Sequence, residues 1–502
     1  MASDSLGSGG AGKLEVEGFA GAPLLDRVSV REKLCFGTGD IANSLAAAST
    51  GFWLLFYLTE VAKIHPSLAG LSLMIGRIID ALCDPIVGWF SDRTVSRWGK
   101  RRPFLLYGAF FYGLTFFAIW VVPDFESEFH RWLYVTAALV AFNISLAFVF
   151  IPYTSLTAAI TNDYDERTSL TGYRMTFGQV AFLIGALVPN EAAKWVKSDR
   201  GKAFFEGVGL QDLFGSWAGT THQGFFIFGV LSALIMTATM LVTFVGTRER
   251  HSDSEHGDES NPLSYVKALV GLTKSSQPFR ISLSVKLLST CAITVVSVNL
   301  NYYLDYVVEA GSQKTFIFSV LLISGIIAAP IWVVLSKRIG KVELYRMVAL
   351  AYALVLPSLL FIDASHSWMI KYIAIVAGAI QSAALIIPWS IIPDVVEYDE
   401  YHNGVRREGL LYGGTSFAYK LATGIAIFLA GVALSLFGYE PGQSQSETAK
   451  LGIRLVIGLL PSMLLLASVY YSRNYPLSAE AHKELLTKLA ARKREESEER
   501  HT

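Results

Sequence analysis

The sequence is poor in the residues that build disulfide frameworks, metal centres and nucleophilic active sites: its 502 residues include 3 cysteines and 9 histidines. The cysteines, Cys35, Cys83 and Cys291, are odd in number and lie in apolar segments, so they predict no disulfide framework. No Cys/His cluster has the spacing of a metal site, and no histidine lies beside a candidate nucleophile. We therefore expect that the protein is not an enzyme and uses no cofactor.

Charge is scarce and balanced as well. Lysine plus arginine and aspartate plus glutamate number 42 each, so the formal net charge is zero and there is no electrostatic case for a nucleic-acid partner. What the chain has instead is 52% hydrophobic residues and a mean hydropathy of +0.42, which are typical of an integral membrane protein. Twelve apolar segments long enough to cross a bilayer lie near residues 32–60, 67–91, 103–123, 131–159, 168–193, 222–246, 280–308, 314–335, 343–362, 367–393, 409–437 and 450–473.

The polar stretches between these segments divide the chain into five parts. Residues 1–30 lack the apolar core of a cleavable signal peptide and predict a cytoplasmic tail. Residues 31–247 and 278–473 hold six segments each, and the polar stretch 248–277 predicts a cytoplasmic linker between two six-helix bundles. Residues 474–502 end in mixed charge and predict a second cytoplasmic tail with a short amphipathic helix.

Two short patterns recur in both halves. Pro85–Ile86 recurs as Pro330–Ile331, and Ile151–Tyr153 recurs as Ile387–Trp389. Chance accounts for one such echo, but two at matching places indicate a duplicated six-helix unit. We predict an all-α membrane protein with twelve transmembrane helices in two pseudo-symmetric six-helix bundles. Folds of this kind place substrate and ions near the midplane between the halves and work by rocking one half against the other.

Lysine and arginine in the short loops predict the orientation in the membrane. Basic residues cluster at 93–102 and 337–341, whereas the opposite loop 124–128 is acidic. The basic loop 194–220 is an exception, but it is long enough to be discounted. We predict a multi-pass protein of the cell (inner or plasma) membrane with both termini in the cytoplasm.

The second apolar segment carries three charged residues at helical spacing, Arg77, Asp80 and Asp84, which therefore face the same way. Each carboxylate costs roughly 2.5–3.5 kcal/mol at the middle of a membrane helix, and the two repel each other. One explanation is an internal salt bridge, in which Arg77 neutralises one carboxylate and a basic residue of another helix neutralises the other. The second explanation is a site for a mobile cation. We favour the cation site, because ionisable residues within a membrane are by default functional.

Two lysines lie within apolar segments of the second half. Lys420 is about a dozen residues into the eleventh segment, too deep to reach water easily, and its nearest unpaired carboxylates in a two-bundle fold are Asp80 and Asp84. A cation that enters the pair would release Lys420, and substrate binding nearby could then sense the change. Lys286 is only about six residues into the seventh segment, so we expect it to snorkel to the membrane surface.

The residues leave the coupling ion open between H⁺ and Na⁺. A carboxylate pair that shares a site readily holds one proton, whereas Na⁺ needs several oxygens around it. Cys83, which lies between Asp80 and Asp84, is a poor ligand for a hard cation. The local residues therefore favour H⁺, with Na⁺ as the alternative.

Asp40 in the first segment and Arg174 in the fifth are also charged residues within apolar segments. The alternatives are an interfacial position for Asp40, near the cytoplasmic end of its segment, and a snorkelling anchor for Arg174. We favour a functional role for Asp40 and leave both interpretations open for Arg174.

Further charges flank the openings of the two halves: Arg167 in the first half, and Asp394, Glu397 and Arg406 in the second. Opposite charges on the two rims predict a cytoplasmic gate, which would latch that side shut. The alternative is ordinary solvated loop charge, since exposed ion pairs contribute on the order of 0–1 kcal/mol each.

The chain resembles the glycoside–pentoside–hexuronide:cation symporters (melibiose permease-like) of the major facilitator superfamily. The resemblance spans roughly residues 30–480, and the paired-aspartate motif is its most specific element. The motifs that carry it are Arg77-x-x-Asp80-Ala-x-x-Asp84-Pro85, Gly99-Lys100-Arg101-Arg102-Pro103, Pro152-Tyr153, Asp165-Glu-Arg167 with Tyr173-Arg174, and Asp394-x-x-Glu397-Tyr398.

The resemblance implies a symporter that couples H⁺ or Na⁺ to a sugar or glycoside by alternating access, and we expect it to act as a monomer with the lipid bilayer and a small-molecule substrate as its partners. The cation would bind Asp80 and Asp84, which are metal ligands only if the ion is Na⁺. Lys420 and Arg77 would couple cation to substrate. The implied substrate-binding residues are Asp40, Tyr153, Arg174 and Lys420, and the implied cytoplasmic gate is Arg167, Asp394, Glu397 and Arg406.

Five positions depart from the melibiose carrier's pattern. Phe150 and Thr154 stand where that carrier has a sugar-binding aspartate and tryptophan. Cys83 replaces an asparagine between the paired carboxylates, Ala147 replaces a threonine that ligates Na⁺, and Leu385 replaces a tryptophan. A site with fewer hydrogen-bonding groups favours a larger or more amphipathic substrate. The alternative substrate class is therefore a lysophospholipid or another amphipathic anion, carried on the same fold.

Overall fold

A computed structural model of the chain describes residues 27–208, 220–250 and 271–499. Most of the predicted N-terminal tail and most of the predicted linker, 251–270, lie outside the described residues. All regular structure in the described residues is helical.

The first half of the chain begins with α1, which runs through Val30–Ser49 and continues in two π-helical turns, Thr50–Leu54 and Tyr57–Val61. The other helices of this half are α2 (Pro66–Arg93), α3 (Arg102–Ile119), α4 (Glu128–Ile160), α5 (Tyr164–Lys197), the short α6 (Asp199–Val208) and α7 (Thr221–Gly246).

The second half begins with α8, which runs through Gln277–Tyr302 and continues in a π-helical turn, Tyr303–Val307. The remaining helices are α9 (Lys314–Ile339), α10 (Lys341–Val355), α11 (Ile370–Asn403), α12 (Glu408–Leu436), α13 (Glu447–Arg454), α14 (Leu460–Ser472), which follows α13 through the π-helical turn Leu455–Leu459, and α15 (Ala479–Glu499).

The predicted fold class is confirmed, because each of the twelve apolar segments coincides with a long helical segment, six in each half. Nine helices of the described residues are long and apolar enough to cross a membrane by length and composition alone. The three other segments are α1, α2 and α5, which carry Asp40, the Asp80–Asp84 pair and Arg174. The three helices that miss this criterion of apolar length thus all carry candidate site residues.

One predicted boundary is wrong. The tenth segment was expected to end at residue 393, but α11 continues to Asn403 through two internal prolines, Pro388 and Pro393. A proline inside a membrane helix is tolerated where neighbouring helices and side chains satisfy the backbone groups it frees. The charged stretch Asp394–Glu400, predicted to be a loop, is therefore a helical extension of α11.

The internal repeat extends to backbone detail. Tyr57–Val61 and Tyr303–Val307 are both π-helical, and each is followed two residues later by a residue in the left-handed region, Lys63 at φ 55° and Glu309 at φ 54°. π-helical turns are rare and occur mostly as single turns, frequently at functional sites. The same irregularity at matching positions of α1 and α8 supports a duplicated unit, and both turns lie where the two halves meet.

The halves are joined at one end, which we call the closed end. There the Thr59 hydroxyl and the Tyr302 hydroxyl are 2.7 Å apart, and the Asn301 amide donates to the carbonyl of Phe52 over 2.6 Å. The Tyr439 hydroxyl, from the segment after α12, hydrogen-bonds the Glu60 carboxylate of α1. The halves therefore share buried hydrogen bonds at this end, which any opening must break.

Helices α2 and α12 stay close beyond the closed end because glycines line their contact. An added Cβ at Gly424 would lie 2.9 Å from the Cβ of Arg77, and one at Gly431 would clash with the carbonyl of Pro66. Small residues of this kind let membrane helices approach closely. On the other side of the molecule, α5 and α9 share hydrogen bonds near the closed end, where Thr315 accepts from Asn190 over 2.8 Å and donates to Glu191. A cavity between the halves lies farther along these two helices, toward what we call the open end.

We predict that Gly431→Ala lowers the thermal stability of the purified protein in detergent, because the new methyl group collides with backbone rather than with a flexible side chain. Overpacking of this kind typically costs about 1–3 kcal/mol. The control is Gly409→Ala on the same helix, where an added Cβ meets nothing within 4 Å. Equal unfolding temperatures for the two variants would contradict the close α2–α12 contact.

Candidate cation and substrate site

Four charged side chains meet where α2 packs against α12. The Lys420 ammonium donates to Asp80 Oδ1 over 2.9 Å and to Asp84 Oδ2 over 2.6 Å. Arg77 Nη1 is 3.6 Å from Asp80 Oδ2 on the same helix. Two carboxylates of the first half are thus bridged by an ammonium of the second half, so the charge state of the pair affects a contact between the halves.

The two carboxylates differ in their surroundings. The Asp80 side chain is 2% exposed and has both basic partners, whereas the Asp84 side chain is 25% exposed. Asp84 Oδ1 is buried and has no hydrogen-bond partner. With Arg77 and Lys420 the cluster is neutral, so the internal salt bridge is formed in this conformation. The carboxylate oxygen without a partner among the described residues therefore belongs to Asp84, the more exposed of the two side chains.

A cavity of about 330 Å³ lies between the halves, bordered by α1, α5, α9 and α11. Its walls are mainly apolar and include Leu385, the residue that replaces a tryptophan of the melibiose carrier. Met175 and Ile326 on its walls are about half exposed (52% and 45%), so the cavity communicates with the outside. The polar residues that line it are Asp40, Ser44, Gln179, Gln381 and Ser382.

Asp40 lies on the first-half wall of this cavity, and Arg174 directly precedes Met175, which also lines it. The Asp40 carboxylate accepts a hydrogen bond from Ser44 over 3.1 Å, and it lies so close to the backbone of α5 that an added Cβ at Gly178 would clash with it. Arg174, one helical turn before Gly178, is the opposite charge that acts on Asp40, but the two form no ion pair. Arg174 Nε is buried without a hydrogen-bond partner. Both charged groups therefore keep hydrogen-bonding capacity for a ligand.

Tyr153 is not brought to the cavity. Its side chain is fully buried, its hydroxyl donates to the carbonyl of Phe36 over 2.8 Å, and its ring stacks on the Phe36 ring at 5.0 Å. An added Cβ at Gly39 would collide with the Tyr153 ring, so α1 and α4 are tightly packed here. In this conformation Tyr153 fixes α4 against α1 rather than facing a substrate.

The four gate residues are not paired across the halves. Arg167 donates to Asn162 and to the carbonyl of Thr161, both in its own half. In the second half, Asp394 pairs with Lys341 at 2.6 Å. The remaining second-half pairs are Glu397 with His482 at 2.6 Å, Arg406 with Glu400 and Glu408 at 3.0 Å each, and Lys493 with Glu400 at 2.6 Å.

These local pairs have a geometric cause. The rim residues lie at the open end, where the halves are apart, and the nearest opposite charges belong to the same half. Arg406 and Arg407 occupy the turn between α11 and α12, outside the membrane-spanning segments. Hydrogen bonds to Glu408 and Glu400 raise the pKa of Arg406, and hydrogen bonds to Asp399 raise the pKa of Arg407. The expected cross-half latch is absent from this conformation, because its members are held within one half.

The expectation that Lys286 snorkels is wrong. Its side chain is fully buried, and its Nζ lies 4.4 Å from the ring centroid of Trp389 and 5.4 Å from that of Tyr419. The position of Lys286 near the start of its apolar segment predicts a short path to the membrane surface. The helix instead turns this residue toward α11 and α12, and the apolar pattern of α8 does not reveal that direction.

Several polar residues of the site were missed from the sequence. Gln179 lines the cavity from the first half, and Gln381 lines it from the second half. Ser44 donates a hydrogen bond to the Asp40 carboxylate. Glutamine within an apolar segment is itself a usable signal, because an unsatisfied amide is expensive in a membrane. His482 of α15, which binds the rim residue Glu397, carries no comparable signal, because α15 is far from α11 in the chain.

Comparisons with known proteins agree with this architecture. A family profile described as "MFS/sugar transport protein" matches residues 35–479. An uncharacterized symporter of Synechocystis is 29% identical and aligns over 93% of this chain and 98% of its own length. The sodium-dependent lysophosphatidylcholine symporter 1 of Gallus gallus is 26% identical over 95% of this chain and 94% of its own. The crystal structure of a bacterial homologue of the human lysosomal transporter Spinster has the same fold, with a TM-score of 0.64 at 12% identity, and covers 91% of this chain and 96% of that one.

We predict that Lys420→Met makes stability depend on pH. Without the ammonium, two carboxylates one turn apart share a site with Arg77 alone, and one of them is expected to hold a proton. The folded variant then binds a proton that the unfolded chain lacks near neutral pH, so its stability falls as pH rises from 5.5 to 8. Thermal unfolding in detergent at both pH values measures this. Lys450→Met, which removes an ammonium from a surface pair, is the control and should show no added pH dependence; identical behaviour of the two variants would contradict the prediction.

Proposed function

Because this chain belongs to the MFS/sugar transport protein family and is a cation-coupled secondary transporter of the major facilitator fold, we propose that Asp80 and Asp84 bind the coupling cation and that the central cavity binds a sugar or glycoside. The observation that carries the proposal is the Lys420 ammonium, which reaches across the halves to both carboxylates at 2.9 Å and 2.6 Å. A contact of this kind links occupancy of a cation site to the relation between the halves, which is the requirement for coupling.

The coupling step follows from the charge balance. A cation that enters at Asp84 competes with Lys420 for the negative charge of the same carboxylates, so cation binding weakens the contact between α2 and α12 and favours another arrangement of the halves. H⁺ would neutralise one carboxyl, whereas Na⁺ would be ligated by carboxylate oxygens, including Asp84 Oδ1. Arg77, 3.6 Å from Asp80, keeps that carboxylate compensated when Lys420 leaves.

The polar residues of the cavity support a polyhydroxylated substrate. Asp40 supplies acceptors, and Gln179 and Gln381 supply both donors and acceptors. Arg174, which directly precedes the wall residue Met175 and acts electrostatically on Asp40, would add donors if the substrate reaches it. A small number of well-placed polar groups in a mainly apolar pocket is the usual construction of a ligand site. A glycoside with an apolar aglycone has sugar hydroxyls that would bind the polar residues and an aglycone that would contact the apolar walls.

A second substrate class is a lysophospholipid or another amphipathic anion. The apolar walls and the half-exposed Met175 and Ile326 favour it, because an acyl chain needs an apolar path that communicates with the lipid. Relatives whose names specify lysophosphatidylcholine or sphingosine-1-phosphate transport also support it. Arg174 would then pair with the anionic head group.

The open end is proposed to face the cytoplasm. α2 ends in Arg93, α3 begins at Arg102, and α9 ends with Lys337 and Arg338, all at the end of the bundles opposite the closed end. Basic residues next to membrane helices favour the cytoplasmic side. In the opposite conformation, Arg167 and the rim carboxylates of α11 would exchange their present partners and close this side.

We predict that Asp80→Asn and Asp84→Asn each abolish accumulation of substrate in proteoliposomes under an imposed Na⁺ or pH gradient, because neither amide can hold the coupling cation. Uptake should fall to the equilibrium level, while size-exclusion profiles show folded protein. Asp92→Asn, near the end of the same helix and 64% exposed, is the matched control. Concentrative uptake that persists in both site variants would reject the cation site.

Substitutions on the cavity wall separate the two substrate classes. Hydrogen bonds to a charged group contribute about 1.5–3 kcal/mol, so for a glycoside we predict that Asp40→Asn weakens binding roughly 10- to 150-fold. For an amphipathic anion, Arg174→Gln should instead be the more damaging change. Thermal-shift titrations of the purified protein with glycosides and with lysophosphatidylcholine measure both; a glycoside affinity unchanged by Asp40→Asn would remove Asp40 from the site.

A further inference from the structure

Lys286 is an ionisable residue that is buried within the second half, and no counterion lies beside it among the described residues. It is fully buried, and its Nζ has no hydrogen-bond partner among the described residues. Among the described residues, the faces of two aromatic rings lie closest to the amine, Trp389 of α11 and Tyr419 of α12. Neither the cation site nor the cavity uses this residue.

The electrostatics of this position disfavour an ammonium. Attraction between a cation and two aromatic faces offsets only part of the cost of removing an ammonium from water. A buried lysine that has no hydrogen-bond acceptor is more stable as a neutral amine than as an ammonium. Lysine also changes its charge state readily when it is buried. The comparison with Lys314 is instructive, because Lys314 is also buried and lies 4.2 Å from the Phe56 ring, but it has Asp305 at 2.6 Å.

The surrounding helices supply no carboxylate to Lys286. From α12 it meets Tyr419, followed by Lys420, which is bound to Asp80 and Asp84. On α10 and α14, the Tyr345 hydroxyl is paired with the Ser468 hydroxyl. The carboxylates farther along α11 are held elsewhere, Asp394 and Glu397 by Lys341 and His482, and Asp399 by Arg407.

We propose that Lys286 is a proton-binding group of the second half, carried as a neutral amine in this conformation and protonated when movement of α12 uncovers it. Tyr419 and Lys420 are consecutive residues of α12, so a shift of this helix that frees Lys420 also moves one of the two rings that cover Lys286. The chain would then contain the proposed cation site of the aspartate pair on one side of the contact between the halves and a proton site on the other. The consequence for transport rests on the proposed function, whereas the uncharged state of Lys286 does not.

The uncharged state is tested by thermal unfolding in detergent at pH 7.5. We expect Lys286→Met, which keeps the shape without the amine, to be at least as stable as the wild type, and Lys286→Arg, which imposes a permanent charge, to unfold several degrees lower. Lys314 is the matched control with the opposite expected order, because Lys314→Met leaves Asp305 without its partner and Lys314→Arg keeps the pair. A Lys286→Arg variant that is more stable than Lys286→Met would show a charged lysine held by its aromatic neighbours and would overturn the proposal.

The transport role is tested by the pH profile of cation-driven uptake. We expect Lys286→Met to transport with a flatter profile between pH 6 and 9 than the wild type, because one titrating group is gone. A profile that superimposes on that of the wild type would overturn the role in the cycle. Failure of the proposed function has a different signature, namely no concentrative uptake by the wild type under any gradient, and it leaves the order of stabilities at position 286 unaffected.

Discussion

The bridge from Lys420 to Asp80 and Asp84 determines how the rest of the structure is arranged. Each of these charges is expensive inside a membrane, and each is acceptable only while the others are present. Since the lysine and the aspartates belong to different halves, the cluster is stable only if α2 and α12 stay close. The glycines at 424 and 431 allow that approach, and the closed end next to them fixes it with buried hydrogen bonds. We propose that a mobile cation replaces Lys420 as the partner of this pair, so that no carboxylate is left unpaired.

The two ends of the molecule use polar groups differently. At the closed end, hydrogen bonds cross between the halves, as in the contact between Thr59 and Tyr302. At the open end, each rim carboxylate is satisfied within its own half, and α15 takes part through His482 and Lys493. Closing the open end therefore requires an exchange of ion-pair partners rather than the formation of new pairs from free groups. The net free energy of such an exchange is small, because exposed ion pairs contribute on the order of 0–1 kcal/mol each. A small free-energy difference suits a transporter, which must occupy both conformations.

The fold was largely predictable, because apolar runs of membrane length fix the number and order of the helices. The meeting of Lys420 with the aspartate pair was also accessible, since a lysine that deep needs a carboxylate and few were available. Lys286 was misjudged because distance from a helix end says nothing about which neighbour a side chain faces. The pairing of Asp394 with Lys341, and of Glu397 with His482, was not predictable, because the partners come from other helices and nothing in the sequence specifies which side chains meet. The cavity residues Gln179 and Gln381 carry no formal charge, so the charges within apolar segments do not point to them.

The central claim is that a cation binds at the aspartate pair in exchange for Lys420, and charge movement in the absence of substrate tests it most directly. Proteoliposomes adsorbed on a solid-supported membrane would be exposed to a sudden rise in Na⁺ concentration or a sudden fall in pH. The account predicts a transient current that saturates with cation concentration and disappears when Asp80 and Asp84 are both replaced by asparagine. A transient of the same size in that double variant, or none in the wild type with either cation, would contradict it.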